Sequence, residues 1–105
     1  MTTTFAVHYT YGIDSAEGRR DHRDEHVQFL VAMQERDELL LCGAYSDELH
    51  PGALLVVAAS SADEARLAVK DDPYNKLGFI DEIAVREWVS RLGSRTSALQ
   101  SVEMA

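Results

Sequence analysis

Residues 39–59 read Leu39-Leu40-Leu41-Cys42-Gly43-Ala44-Tyr45, then Ser46-Asp47-Glu48-Leu49-His50-Pro51-Gly52, then Ala53-Leu54-Leu55-Val56-Val57-Ala58-Ala59. Two short apolar runs flank a polar segment that closes on Pro-Gly, a pair whose fixed and permissive backbone angles supply a turn. The stretch predicts two strands joined by a hairpin-like loop. Upstream, from about Asp21 to Glu35, Val27, Leu30, Val31 and Met33 recur at helical spacing among charged residues. That is an amphipathic helix with a polar first turn, and Gly18 argues against an earlier regular start. Further back, Phe5, Val7, Tyr9 and Tyr11 alternate with smaller or polar residues, as in a half-buried strand, and Gly12 ends the run.

Downstream, Ser61-x-x-Glu64 has capping-box spacing: the hydroxyl accepts from a free helix amide while the Glu side chain reaches back. A helix of about Ala62 to Lys70 follows. Asp71-Asp72-Pro73 stops it, because the residue before a proline is pushed out of the helical region and the proline has no amide hydrogen. Tyr74 to Gly78 reads as a loop. From Phe79 to Val89 the chain alternates again, with Ile83, Val85 and Val89 on one side and Glu82, Arg86 and Trp88 on the other. The order β-α-β-β-α-β predicts an α+β fold, a ferredoxin-like sandwich with both helices on one face of an antiparallel sheet. Two helices cannot shield both faces, so the open one predicts a homodimer or higher even oligomer, packed sheet against sheet or edge against edge. Residues 1–89 form the domain. Residues 90–105, with four Ser, two Arg and little periodicity, are expected to be flexible or to contact a partner subunit.

The 105 residues carry 10 Lys and Arg against 18 Asp and Glu, a formal net charge of −8. No basic stripe offsets that balance, which sets nucleic acid and acidic membrane surfaces aside as partners. With 46% hydrophobic and 27% charged residues the chain belongs to the globular class. It has no apolar run long enough for a membrane span and no signal-peptide pattern at Met1-Thr2-Thr3-Thr4-Phe5, so a cytoplasmic location is expected. The single cysteine agrees with a reducing compartment.

Three groups of residues invite a chemical reading. His22 and His26, one helical turn apart, share the spacing of helical metal sites, with Asp72, His8 or His50 as possible third ligands. Two ligands are insufficient, and the preferred reading is a solvated His22 beside an occupied His26, with no metal. Cys42 offers a nucleophile only if a base activates it, and reads instead as a buried strand cysteine behaving as a small apolar residue. The third group joins Arg23 and His26 to Asp72-Pro73-Tyr74. Imidazole takes a proton at neutral pH, and a carboxylate on its second nitrogen fixes the tautomer and stabilises imidazolium.

The pattern Arg23-x-x-His26, then Leu39-Leu40-x-x-Gly43, then Asp72-Pro73-Tyr74-x-x-x-Gly78 resembles the YCII (YciI-like) family, and the likeness spans roughly Phe5 to Val89. The resemblance implies a dimeric α+β barrel related in architecture to muconolactone isomerases. It also implies that His26 and Asp72 form a catalytic pair. Asp24 and Ala44 stand where many members of that family have Pro, and the second departure reshapes the pocket rim. Arg23 then has two readings, a substrate contact to a carboxylate or phenolate, or an ion pair with Asp72 or Glu25. Tyr74 and Ser46 are further substrate-binding candidates; each has an alternative as a packing or solvated residue, as does His50. The expected function is cofactor-independent His/Asp proton transfer, of lyase, dehydrochlorinase or isomerase type, on a small oxygenated or aromatic metabolite. The alternative is a non-catalytic module that binds or senses such a metabolite.

Overall fold

The computed structural model describes residues 2–99. Strand β1 (Thr3–Tyr11) is followed by helices α1 (Ala16–Asp21) and α2 (Arg23–Glu35), then strands β2 (Leu39–Ala44) and β3 (Gly52–Ala59). Helix α3 (Ala62–Val69), the single turn α4 (Pro73–Lys76), strand β4 (Ile80–Glu87) and the turn α5 (Thr96–Leu99) complete the order. The four strands form one antiparallel sheet in the order β2-β3-β1-β4. This is the ferredoxin-like arrangement, with β1 and β3 in the centre because each of the two crossovers skips one strand position.

Alternation along the central strands decides which face is dry. Phe5, Val7, Tyr9 and Tyr11 of β1 and Leu55 and Val57 of β3 are buried, and they pack with Met33 of α2 and Ala65 and Val69 of α3 in one core. Removing a Val- or Leu-sized side chain from water contributes about 1.5–3 kcal/mol, so these facing rows hold both helices to the same side of the sheet. The opposite face carries Ala6, His8, Leu54 and Trp88 around a cleft of about 360 Å³. Residues 90–99 turn back toward this face, where Thr4 Oγ1 donates to the Leu99 carbonyl at 2.7 Å. Of the segment expected to be flexible or partner-contacting, residues 100–105 lie outside the described ones.

Local structure departs from the sequence expectation in three places. Helix does begin before Asp21: α1 contains Gly18, and a Cβ there would sit 2.5 Å from two ring carbons of Phe79. Gly18 is therefore required for packing, which outweighs its weak helix propensity. Residues 73–76 are a helical turn, with Pro73 at its first position and Asp72 as its N-cap, accepting from the Tyr74 amide. Proline stops the previous helix and starts the next because its missing amide is an orphan at a helix start anyway. Strand β4 ends at Glu87, and Val89 lies beyond it, exposed.

Candidate active site

Asp72 is placed by that N-cap role. Its backbone is non-helical, its side chain folds back over α4, and the carboxylate is completely buried. Three donors meet it. Oδ1 accepts from the Tyr74 amide at 2.9 Å and lies 2.8 Å from His26 Nδ1, while Oδ2 accepts from the Tyr9 hydroxyl at 2.9 Å. An ionised carboxylate only accepts, so His26 donates from Nδ1, and in the neutral ring this leaves Nε2 as the nitrogen that can take a proton. Burial raises the Tyr9 phenol well above its ordinary range, and the Asp72 charge and its hydrogen bond add to that, so Tyr9 remains a donor.

The His26 ring is clamped as well as tethered. It stacks on Tyr74 with centroids 3.9 Å apart and planes 4° from parallel. Tyr74 is fixed in turn by its hydroxyl, which donates to the Arg19 carbonyl at 2.7 Å, and by edge contacts with Tyr11 and Phe79. Burial raises the Tyr74 phenol, against the opposing pull of Arg19 and Arg23, so it too stays protonated. A ring held by packing on one side and a charge-assisted hydrogen bond at its edge keeps one tautomer and one orientation, which acid–base transfer needs before a substrate arrives.

His26 forms part of the wall of a cleft of about 410 Å³ between α1, α2, α4 and the strands β2 and β3. Tyr11, Arg19, Arg23 and Tyr74 supply its polar and aromatic wall, and Val27, Leu30 and Leu55 its apolar one. A larger cleft of about 910 Å³ lies elsewhere, lined by Asp37, Glu38, Glu64 and Asp71 with Arg36. None of those five charged groups is buried, so that cleft lacks the preorganised polar group of the smaller one.

The structure thus brings His26, Asp72, Tyr74 and Arg23 together. Arg23 is exposed at the cleft and makes no ion pair among the described residues, so neither Asp72 nor Glu25 holds it. Ser46 stays outside the cleft wall, in the exposed loop before β3, and so does His50. Cys42 differs from the expectation of a buried residue: it is exposed at the cleft, on an edge strand whose residues Leu41 to Ala44 are all exposed. Surrounding protein raises its thiol, the opposite of what an activated nucleophile requires. His22 turns away to Glu25 at 3.0 Å and lies against Phe79. Among the described residues no three His, Cys, Asp or Glu side chains gather as a metal set.

Tyr9 and Arg19 are the residues that sequence reasoning passed over. Tyr9 fits the core face of a strand, and its only distinguishing mark is a hydroxyl, which needs a partner when buried. Arg19 lies in the segment where Gly18 argued against a helix.

The model of the YCII-related domain family matches residues 3–89. No match is found among curated proteins. Among solved structures, the fold is similar to the 5-chloro-2-hydroxyhydroquinone dehydrochlorinase TftG from Burkholderia phenoliruptrix AC1100, in complex with 2,5-dihydroxybenzoquinone. The TM-score is 0.70 at 22% identity, over 82% of this chain and 93% of that one. Rv0793 from Mycobacterium tuberculosis aligns with a TM-score of 0.49 at 10% identity, over 90% of this chain and 99% of that one.

Proposed function

The chain belongs to the YCII-related domain family, and from that premise we propose that it is a small cytoplasmic enzyme in which His26, held by Asp72, moves a proton on a small oxygenated or aromatic metabolite. The observation that carries this reading is the His26–Asp72 pair. A fully buried carboxylate lies 2.8 Å from an imidazole whose other nitrogen has no partner among the described residues. The structural neighbour TftG is a dehydrochlorinase, and that activity is one member of the reaction class.

In the proposed reaction Nε2 accepts a proton from a substrate hydroxyl or from a carbon next to a carbonyl. The electron pair left behind forms a new double bond, and either a leaving group such as chloride departs or the proton returns to another atom of the substrate. The first course is elimination and the second isomerisation. Asp72 stabilises the imidazolium formed in between and does not itself change protonation. The protein's own side chains supply the proton acceptor, so no cofactor is called for. Arg23 and Tyr74 contact the substrate, and Ser46 comes to it only if its loop moves.

A second copy of the chain belongs to the same proposal. Leu41 and Trp88 on the open sheet face, and Val27 and Val31 beside the cleft, are large apolar residues left exposed. Sedimentation that reports a concentration-independent monomer would contradict the homodimer.

The test of function uses small halogenated and hydroxylated aromatics, 5-chloro-2-hydroxyhydroquinone first, with released chloride and ultraviolet absorbance as readouts. Turnover is expected, and His26→Ala lowers it by about 10²–10⁴-fold with circular dichroism unchanged. A fully active His26→Ala protein would sink the reading. A metabolite that raises the melting temperature and is recovered unchanged would make the chain a binding module instead.

A further inference from the structure

Resting on that reading, we propose that Arg19 is the anion-recognising residue of the cleft and that the substrate is a small planar organic anion, a carboxylate or an ionised phenol or enol. The chain bears 18 acidic residues and a net charge of −8, yet no Asp or Glu is among the residues forming the cleft wall, where Arg19, Arg23 and His26 converge. The larger cleft shows the contrast, with four acidic residues in its wall. In an acidic protein, a cleft wall with two guanidinium groups, set against the single carboxylate of Asp72 buried behind His26, is a local reversal of sign that attracts an anion.

Arg19 is held for such a task. Its Nε donates to Ser15 Oγ at 2.9 Å, and that buried hydroxyl donates onward to the Gly12 carbonyl at 2.7 Å. Its guanidinium carbon stands 4.2 Å over the Tyr11 ring. The tether occupies one donor and the stacking fixes the plane, which leaves both terminal nitrogens without a protein partner among the described residues. A planar fork of this kind matches the two oxygens of a carboxylate, and a lysine at the same place does not reproduce it. The Arg19 backbone is also tied to the base. Its carbonyl accepts from the Tyr74 hydroxyl, and Tyr74 is the ring on which His26 stacks. Tyr74 therefore fixes the spacing between the anion site and the proton acceptor, and with Tyr11 it lines the cleft with aromatic faces suited to a flat ligand.

The experiment is calorimetric titration of the full chain with 4-hydroxybenzoate and with 4-hydroxybenzamide, which share a shape and differ in charge. The benzoate is expected to bind at least about tenfold more tightly than the amide. Arg19→Gln removes that preference, weakening benzoate binding by about tenfold more than amide binding. Arg19→Lys, which retains the charge without the fork, keeps part of the preference and serves as the second variant if Arg19→Gln fails to fold. Equal affinity for the two probes, no binding of either, or an Arg19→Gln protein with its preference intact would overturn the proposal. The acid–base reading fails separately: His26→Ala that remains active refutes it whether or not the benzoate binds.

Discussion

His22 and His26 stand one helical turn apart, and each sets Nδ1 against a carboxylate, at 3.0 Å to Glu25 and 2.8 Å to Asp72. Their surroundings separate them. The His22 and Glu25 side chains are 37% and 57% exposed, whereas those of His26 and Asp72 are 11% and 0% exposed. Water competes for the first pair and screens it, so such contacts contribute about 0–1 kcal/mol. The second pair is locked by Tyr9, by the Tyr74 amide and by the stacked Tyr74 ring. The same two functional groups thus make a surface contact in one place and a buried, fixed pair in the other, the pair proposed above for proton transfer. Burial with complete hydrogen bonding makes the difference.

The comparison breaks most sharply on turnover. Once a substrate is in hand, His26→Ala is expected to lower kcat/KM by about 10²–10⁴-fold while His22→Ala changes it less than about twofold. Equal losses would show that the two imidazoles are not distinguished as described. Stability separates the carboxylates next. Asp72→Ala strands the Tyr9 hydroxyl, the Tyr74 amide and the His26 ring, and is expected to cost about 3–5 kcal/mol in urea denaturation. Glu25→Ala stays within about 0.5 kcal/mol.

Tyr9→Phe comes third. It leaves Asp72 Oδ2 without its partner and costs about 1–3 kcal/mol at neutral pH. Its pH dependence has a definite sign. In the unfolded chain the phenol loses its proton near its ordinary value of about 10, while burial, then the Asp72 charge, hold it on the folded one. The folded state binds more protons above that pH, so the contribution is fully present below about pH 10 and is lost as pH rises. The parent's alkaline loss of stability should therefore be steeper than that of Tyr9→Phe, as read from melting temperatures across the alkaline range. The smallest effect concerns Cys42. With its thiol raised by partial desolvation against the cleft wall, alkylation by iodoacetamide is expected to be slower at neutral pH than for a free thiol, to accelerate as pH rises, and to slow again when the cleft is occupied.

Periodicity was sufficient for the four strands, the two longer helices and their order, because alternation in β1 and β3 reports which face is buried. Pairing across 46 residues is not local, and His26 and Asp72 were joined in the sequence only through a family likeness. Three features stayed hidden for separate physical reasons. Gly18 looked like a helix breaker because its constraint is the Phe79 ring on another element. Tyr9 looked like any core aromatic, since a strand pattern reports its face and not the partner of its hydroxyl. Arg19 acquires its meaning from Ser15, Tyr11 and Tyr74, which only the folded chain brings around it.

The most direct test of the central claim is the tautomer of His26, read from its two ring nitrogens by long-range proton–nitrogen NMR in uniformly labelled protein, with His26→Gln for assignment. The geometry predicts a proton on Nδ1, a free Nε2, and loss of that fixed tautomer in Asp72→Ala. A neutral ring with its proton on Nε2 and none on Nδ1 in the parent protein, or one tautomer unchanged by removing the carboxylate, would show that Asp72 does not orient His26 and would contradict the account.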